Sequence, residues 1–280
     1  MRDKNLVVRR MTEADLALAI EWAAAEGWNP GLHDAHCFYA ADPQGFFVAE
    51  LDGAPIGCVS AVRYGSGFGF LGLYIVKTEH RGQGFGLELW HAALDHLGDR
   101  MIGLDGVVAQ QENYRKSGFR LAFRNIRQKS RGGGVAPPGL TDLPAIPIAE
   151  ILRYDETGFP APRADFLKSW IGQPQAVALG VVNGPRLTGY GVLRACREGF
   201  KIGPLFADDE ETADRLFAGL MARAPGAPVF LDTPEANPAA VALAARHAMT
   251  PIFETARMYK NGTPQMALER CFGVTTFELG

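Results

Sequence analysis

A glycine-rich loop between an apolar run and an amphipathic run constrains this chain more than any other feature. The apolar run covers residues 70–76, the loop is Arg-Gly-Gln-Gly-Phe-Gly at 81–86, and the amphipathic run covers 87–94. This order predicts a strand, a loop and a helix. Backbone N–H groups in such a loop converge on one point, and the helix dipole adds partial positive charge there. Because glycines also permit positive φ and close approach to a ligand, we predict a phosphate or pyrophosphate site.

Two common nucleotide motifs do not fit this loop. A dinucleotide fingerprint needs G-x-G-x-x-G after the first strand of a βαβ unit and an acidic residue about 20 positions later. Here Gly82, Gly84 and Gly86 are spaced as G-x-G-x-G, deep in the chain and after strand patterns that look antiparallel. A P-loop needs a following Lys-Ser or Lys-Thr pair, which the sequence lacks. The remaining interpretation is a pyrophosphate loop of the R-G-x-G-x-G type that begins at Arg81. The alternative is a glycine-rich turn without a ligand.

A second motif follows the loop and its helix. Residues 101–105 form a pattern typical of a short buried strand, and 109–116 predict a helix that ends before Gly118. The stretch 114–119 reads Tyr-Arg-Lys-Ser-Gly-Phe. The two motifs, in this order and at this distance, resemble the GNAT acyltransferase superfamily over residues 68–120. That family binds acyl-CoA through an R-G-x-G-x-G loop and carries a Y-x-K-x-G-F segment after its second CoA-contacting strand.

The resemblance implies acetyl-CoA, or another acyl-CoA, as the cofactor. It implies that strand amides pair with the pantetheine arm and that loop amides bind the pyrophosphate. The residues implied in cofactor binding are Leu73, Tyr74, Ile75, Val76, Arg81, Gly82, Gln83, Gly84, Phe85, Gly86, Asn113 and Lys116. Tyr114 matches the family tyrosine that protonates the leaving thiolate, a role worth about 10²- to 10⁴-fold in rate. The alternatives are that Tyr114 only packs under the sheet and that Asn113 only caps its helix.

The sequence does not identify a general base. Many family members place a Glu on the strand before the loop, but residues 70–76 contain no acid, and Glu79 beside the loop is alternatively a solvated side chain. The candidates for the acceptor site are Trp28, Asn29, His33, Asp34, His36 and Asp105. A histidine among them could act as the base near neutral pH, or the segment after Gly31 could be an ordinary surface loop. The four cysteines are scattered without a C-x-x-C pair, so no metal site is predicted.

The second half of the chain repeats the plan of the first, with weak identity but the same order of elements. The repeated elements are strand patterns at 176–182, 187–195 and 200–206, a helix at about 210–223, a strand at 229–232 and a helix at 237–247. A glycine- and proline-rich stretch separates the halves. We predict an α/β fold with α+β mixed sheets, built from two tandem GNAT-like domains, each a twisted mixed β-sheet flanked by helices. The catalytic domain covers 1–129, a linker covers 130–140, and a divergent domain covers 141–280.

The two halves differ where the chemistry would take place. Instead of the glycine loop, the second half has Ala-Asp-Asp-Glu-Glu at 207–211. Its four carboxylates would repel a pyrophosphate, whereas they suit the N-terminus of a helix. Ala244 takes the position of Tyr114 when the two halves are aligned. We therefore predict that only the first half binds CoA and catalyses, while the second covers the site, supplies specificity residues or mediates assembly.

Bulk properties narrow the function further. A net charge of −3 and a pI of about 6.1 argue against nucleic acid as a partner. No apolar run approaches the roughly 18 residues of a membrane span, and scattered thiols fit a reducing cytoplasm. The sequence predicts a cytoplasmic, acetyl-CoA-dependent N-acetyltransferase acting on a small amine or amino-acid-like acceptor; a homo-oligomer stays open. The alternatives are a non-catalytic acyl-CoA-binding regulatory protein and a protein N-acetyltransferase that uses the second half as a docking module.

Overall fold

The computed structural model describes residues 5–280, so the first four residues of the predicted catalytic domain lie outside the described range. Its β-strands are β1 (Leu6–Arg10), β2 (Phe46–Leu51), β3 (Ala54–Tyr64), β4 (Phe68–Val76), β5 (Met101–Val107), β6 (Arg120–Arg131), β7 (Thr141–Asp142), β8 (Val177–Asn183), β9 (Arg186–Ala195), β10 (Phe200–Ala207), β11 (Pro228–Pro234), β12 (Thr250–Lys260) and β13 (Cys271–Gly273). Its α-helices are α1 (Glu13–Ala25), α2 (Asp34–Ala41), α3 (Phe85–Leu97), α4 (Gln111–Lys116), α5 (Ile148–Asp155), α6 (Ala164–Gly172), α7 (Glu210–Met221) and α8 (Pro238–Arg246).

One mixed β-sheet runs through both halves of the chain. The strand order is β1-β2-β3-β4-β5-β12-β6-β11-β10-β9-β8-β7, and β13 pairs with β10 outside this path. In the first half β3 and β4 are antiparallel, while β4 and β5 are parallel. In the second half β9 and β10 are antiparallel, while β10 and β11 are parallel. The order is symmetric about the central β12–β6 pair, which confirms the predicted mixed α/β fold with two repeated GNAT-like halves.

The halves exchange their last long strands. β6 follows α4 of the first half, yet it pairs with β11 of the second half. β12 belongs to the second half, yet it pairs with β5 of the first. The two exchanged strands also pair with each other. The sequence predicts a strand at 120–127 but not its partners, because those partners lie far along the chain. Ser130 and Arg131 continue β6, and the predicted domain boundaries remain a prediction.

A buried ion pair fixes the register of each exchanged strand. Arg127 on β6 donates to both carboxylate oxygens of Asp232 on β11, at 2.7 and 2.8 Å. Arg257 on β12 donates to both oxygens of Asp105 on β5, at 2.8 and 2.6 Å. Such two-pronged pairs are directional. A slip of one residue would turn each arginine to the opposite face of the sheet, so the pairs select the observed register.

Helices cover both faces of the sheet. Side chains of β3 alternate between two cores, because successive residues of a strand point to opposite faces. Cys58 and Val62 contribute to a core shared by α1, α2, α5 and α6, whereas Val59 and Ala61 pack beneath α3. The shared core joins the halves: the ring of Phe38 stacks on that of Trp170, with centroids 6.2 Å apart. None of the described helices has the length and hydropathy needed to cross a membrane.

Candidate active site

The site is a cleft that opens where two parallel strands separate. β4 and β5 pair only as far as Leu71 and Leu104. Just beyond that point β4 contains a bulge. The pairing moves three positions along β4, from Gly72 to Ile75, while it moves two positions along β3, from Ser60 to Cys58. Leu73 lies at the bulge with a φ of 44°, a conformation that non-glycine residues seldom adopt. The separation leaves a cavity of about 440 Å³ between the strands.

Residues from both halves line this cavity. From β4 through α4 they are Leu71, Gly72, Leu73, Tyr74, Ile75, Val76, His80, Arg81, Gly82, Gly86, Trp90, Leu104, Asp105, Gly106, Val107, Gln110 and Tyr114. From other parts of the chain they are Glu26, Trp28, Arg127, Phe253, Thr255, Phe277 and Glu278. The strand residues predicted to bind cofactor and the start of the glycine loop therefore share one cavity with Tyr114.

The glycine loop has the conformation that its sequence requires. Gly82 and Gly84 have φ values of 73° and 88°, and a Cβ at either would meet no atom within 4 Å. Gly84 immediately precedes α3, so the loop leads into the N-terminus of a long helix. At Gly86 a Cβ would come within 2.6 Å of the Tyr74 hydroxyl, which donates a 2.7 Å hydrogen bond to the Gly86 carbonyl. The loop thus combines open space, the N-terminus of a long helix and the positive dipole charge at that end.

Arg81 ties the loop to its surroundings. Its Nε donates to the Val76 carbonyl at 2.7 Å, and its Nη2 pairs with the Glu26 carboxylate at the end of α1. Gln83, Gly84 and Phe85 continue the loop next to the cavity but do not line it. Arg81 and Glu26 therefore line the cavity as an ion pair.

Tyr114 is held against the cavity wall. Its ring packs on Gly106, where a Cβ would overlap the ring, and it lies 5.6 Å from the Trp90 ring centroid to centroid. Trp90 is itself fixed by a 3.0 Å hydrogen bond from Nε1 to the Ser117 hydroxyl. Burial raises the pKa of Tyr114 to about 12, and the neighbouring Tyr74 adds to the shift. The phenol is therefore protonated at neutral pH, as a proton donor must be.

Two further residues implied in cofactor binding, Asn113 and Lys116, do not line the cavity either. Asn113 donates from Nδ2 to Oε1 of Gln110, the residue that precedes α4, at 2.7 Å. Lys116 is exposed at the other end of α4. Asn113 thus makes a local contact at the start of its helix, and neither residue belongs to the cavity lining.

The acceptor candidates separate into two groups. Trp28 and Asp105 line the cavity, whereas Asn29, His33, Asp34 and His36 do not. Asn29, with a φ of 51°, exchanges hydrogen bonds with the Glu198 backbone, and His33 immediately precedes α2.

The remaining two candidates outside the cavity have ionic partners. Asp34 is fully buried, pairs with Arg194 at 2.9 Å and accepts from the Gly31 amide at 2.7 Å. His36 is exposed beside Glu13. The segment around Gly31 therefore joins the halves, because Asn29 and Asp34, on either side of it, both contact residues of the second half.

Sequence reasoning missed the residues that close the cavity from the far side. Phe253 and Thr255 come from β12, and Phe277 and Glu278 come from residues 274–280. Strand exchange brings β12 beside β5, a placement with no local sequence signal. The only available sign was an acid, Glu278, within the otherwise uncharged stretch Val-Thr-Thr-Phe-Glu-Leu-Gly.

The equivalent cleft of the second half is filled. β10 and β11 pair as far as Ile202 and Leu231, and beyond that point β13 pairs with β10. The Val274 amide also donates to the Asp232 carbonyl at 2.9 Å, which attaches the same segment to β11. Where the glycine loop would be, Asp209 accepts a 2.8 Å hydrogen bond from the Thr212 amide at the start of α7. The acidic run therefore begins a helix, as its sequence predicts.

Comparisons with known proteins agree with this geometry. The profile described as "Acetyltransferase (GNAT) family" matches residues 14–119, and the one described as "Acetyltransferase (GNAT) domain" matches 151–273. The chain is 33% identical over 269 residues to "Holothin acyltransferase" of Pseudoalteromonas sp. (strain SANK 73390), covering 93% of this chain and 90% of that protein.

Solved structures share the fold. A putative acetyltransferase from Pyrococcus horikoshii has a TM-score of 0.85 at 20% identity, covering 98% of this chain and 96% of that one. A tandem GNAT protein from the clavulanic acid biosynthesis pathway has a TM-score of 0.63 at 14% identity, covering 93% and 100%. Two GNAT profiles match the chain, and a 33% identical acyltransferase aligns with 93% of it. The chain therefore belongs to the GNAT superfamily as a tandem acyltransferase.

Proposed function

We propose that this protein is an N-acetyltransferase that uses acetyl-CoA and a small amine or amino-acid-like acceptor. The observation that carries the proposal is the open cleft between β4 and β5, which places Tyr114 and the start of the glycine loop on one cavity. The four cysteines are free and buried, which supports a reducing cytoplasm as its place of action.

The cleft has the features that an acyl-CoA needs. Beyond Leu71 the cleft side of β4 has no strand partner in β5, so its main-chain groups can pair with an extended pantetheine arm. Gly82 and Gly84 leave open space at the N-terminus of α3 for a diphosphate. A bound acyl-CoA would supply the activated thioester. The protein's own residues orient it, exclude water and move protons.

Tyr114 is the proton donor of the proposed reaction. As the acceptor nitrogen forms its bond to the thioester carbonyl carbon, the carbon–sulfur bond breaks and the sulfur needs a proton. The buried phenol of Tyr114 has its pKa near 12, so it holds that proton throughout the neutral range. Proton donation in a transition state typically accelerates a reaction about 10²- to 10⁴-fold.

A small acceptor fits the enclosure of the cavity. Phe253, Thr255 and Phe277 of the second half cover the side opposite β4, so the second half forms a wall of the site. This wall favours a small molecule over a protein docked on the second half. Holothin, which appears in the name of the 33% identical relative, is the first acceptor to test.

Calorimetry with CoA followed by an acyl-transfer assay tests the proposal. We expect a single CoA per chain, and thiol release from acetyl-CoA that depends on an amine in a panel including holothin and amino acids. Longer acyl-CoAs in the same assay determine the acyl preference. A folded protein that binds no CoA, or that binds it without transfer to any amine of the panel, would contradict the proposal.

The variant Tyr114→Phe tests the donor. We expect kcat to fall about 10²- to 10⁴-fold with little change in CoA affinity, because the ring stays and only the hydroxyl group is lost. In the wild type, a pKa near 12 predicts no loss of rate through Tyr114 ionisation below about pH 11. Tyr39→Phe, which alters a tyrosine outside the cavity, is the matched control. A full rate in Tyr114→Phe would remove Tyr114 from the mechanism.

A further inference from the structure

One acid that lines the cavity comes from outside the elements that the two halves share. It is Glu278, in the segment of residues 274–280 that continues from β13. β4 itself has the sequence Phe-Gly-Phe-Leu-Gly-Leu-Tyr-Ile-Val and offers no acid along the cleft. Glu278 reaches the cleft from the second half, at the level of the bulge in β4.

Gly72 makes this approach possible. A Cβ at position 72 would overlap the Glu278 carbonyl, so only glycine lets the segment lie against β4. The backbone is then held from several sides: the Ser60 hydroxyl donates to the Glu278 carbonyl at 3.4 Å, and the Tyr64 hydroxyl donates to the Leu279 carbonyl at 3.0 Å. The Thr276 hydroxyl accepts from the amides of Glu278 and Leu279. The backbone of Glu278 is therefore held in place against Gly72, at the bulge of β4.

The carboxylate has an oxygen to spare. Asp34, Asp105 and Asp232 are all buried near the cavity, and each pairs with an arginine. Glu278 is only 4% exposed, and its Oε2 is buried without a hydrogen-bond partner within residues 5–280. Buried acceptors are nearly always satisfied in native proteins, and an unsatisfied one in a cavity often marks a functional group. This oxygen is thus an unsatisfied acceptor in a residue that lines the cavity.

Three buried cations surround the Glu278 segment. The charge of Glu278 acts on Arg127 of β6, Arg194 of β9 and Lys201 of β10. The two arginines already pair with Asp232 and Asp34, whereas no carboxylate within the described residues forms an ion pair with buried Lys201. Glu278 therefore lies beside a cluster of buried positive charge that includes one amine without an ion-pair partner among the described residues.

We propose that Glu278 is the general base that takes a proton from the acceptor nitrogen in the first half's active site. This inference rests on the proposed N-acyltransferase function. The acceptor ammonium loses one proton to Glu278, and its nitrogen then forms the bond to the thioester carbonyl carbon. The carbon–sulfur bond breaks, and Tyr114 gives its phenolic proton to the sulfur. The second proton of the nitrogen returns to Tyr114 through solvent, and Glu278 releases its own proton to solvent, so one proton leaves per turnover.

The variant Glu278→Gln tests this role, because it keeps the shape of the side chain and removes its basicity. We expect kcat/KM for the amine to fall about 10²- to 10⁴-fold, with CoA affinity unchanged. The acidic limb of the pH–rate profile should disappear. The penalty should shrink for amines that are already neutral at the assay pH, since these need less help in losing a proton. Glu79→Gln, which changes an exposed acid outside the cavity, should behave like the wild type.

The outcomes separate this inference from the proposed function. A wild type that transfers to no amine would overturn the proposed function, and the base with it. An active wild type matched by Glu278→Gln in rate and pH profile would overturn the base alone. A loss of CoA affinity as large as the loss of rate would show a structural role instead. If Glu278→Gln does not fold, Glu278→Asp decides: it should keep the acidic limb and lower kcat, and an unchanged kcat would overturn the proposal.

Discussion

The two halves of the sheet open a cleft at the same place and use it in opposite ways. In the first half β4 and β5 separate after Leu71 and Leu104, and the cleft stays open as a cavity. In the second half β10 and β11 separate after Ile202 and Leu231, and β13 fills the gap. A cleft between diverging strands exposes main-chain groups that need partners. A cofactor can satisfy them in one half, and the chain's own strand satisfies them in the other.

The filled cleft also contributes to the open one. β13 occupies the second cleft at Leu205 and Phe206, and the chain continues from it to place Phe277 and Glu278 at the first cavity. The segment that fills the groove of one half thus also anchors a wall of the other half's cavity. The comparison teaches that the half with the filled cleft still contributes residues to the open cavity.

The largest effects should come from the two ion pairs that hold the exchanged strands. Arg127→Met leaves Asp232 buried and unpaired, and Arg257→Met does the same to Asp105. Removing one partner of a buried pair typically lowers the free energy of unfolding by about 3–5 kcal/mol. Denaturant unfolding measures the loss. Because the pairs occupy equivalent positions, we expect similar losses from both.

An exposed pair gives the matched control for these variants. Arg246 pairs with Asp214 on the surface of the second half, with side chains 41% and 34% exposed. Arg246→Met should cost at most about 1 kcal/mol. A loss below about 1 kcal/mol for Arg127→Met or Arg257→Met as well would mean that the buried pairs do not fix the strand exchange.

The glycine loop should show the next largest effect, and only on CoA binding in the first half. Gly84→Val adds a branched side chain at a φ of 88° and fills the space kept for the diphosphate. We expect CoA affinity to fall at least about 10-fold, which corresponds to about 1.4 kcal/mol. Calorimetry with CoA measures the change.

Gly184→Val, in a turn of the second half, is the control for backbone strain in this variant. Gly184 lies in the turn between β8 and β9 with a φ of 59° and no atom within 4 Å of a Cβ. Both variants strain a left-handed position, by about 1–2 kcal/mol. Equal losses of CoA affinity in the two would show that strain, rather than the loop itself, controls binding.

Local patterns predicted the parts of the site that lie close together in sequence. Residues 71–76 of the strand, both ends of the loop at 81–86, and Tyr114 of the following helix line one cavity. The acceptor candidates were less easily predicted. Trp28 and Asp105 line the cavity, but Asp34 does not and pairs instead with Arg194, a partner 160 residues along the chain.

No sequence pattern predicted the strand exchange or the residues that close the cavity from the far side. Side chains of β6 and β12 alternate between the two faces of the sheet, as in any strand. That alternation does not determine which neighbouring strand each one pairs with. Glu278 reaches the site only because β13 occupies the second cleft and Gly72 admits the segment that follows. Such placements depend on contacts between distant segments, which the structure shows and a single sequence does not.

The smallest effect should come from the acidic run that replaces the loop in the second half. Asp209 caps α7 through the Thr212 amide, so Asp209→Ala should lower the free energy of unfolding by about 1 kcal/mol. CoA affinity and stoichiometry should not change, because β13 still fills the cleft beside it. Asn237→Ala removes the cap of α8 and also two hydrogen bonds from Nδ2 to the carbonyls of Glu269 and Cys271, so it should give a larger loss. A second CoA bound by Asp209→Ala would mean that charge repulsion, and not the inserted strand, keeps the cofactor out of this half.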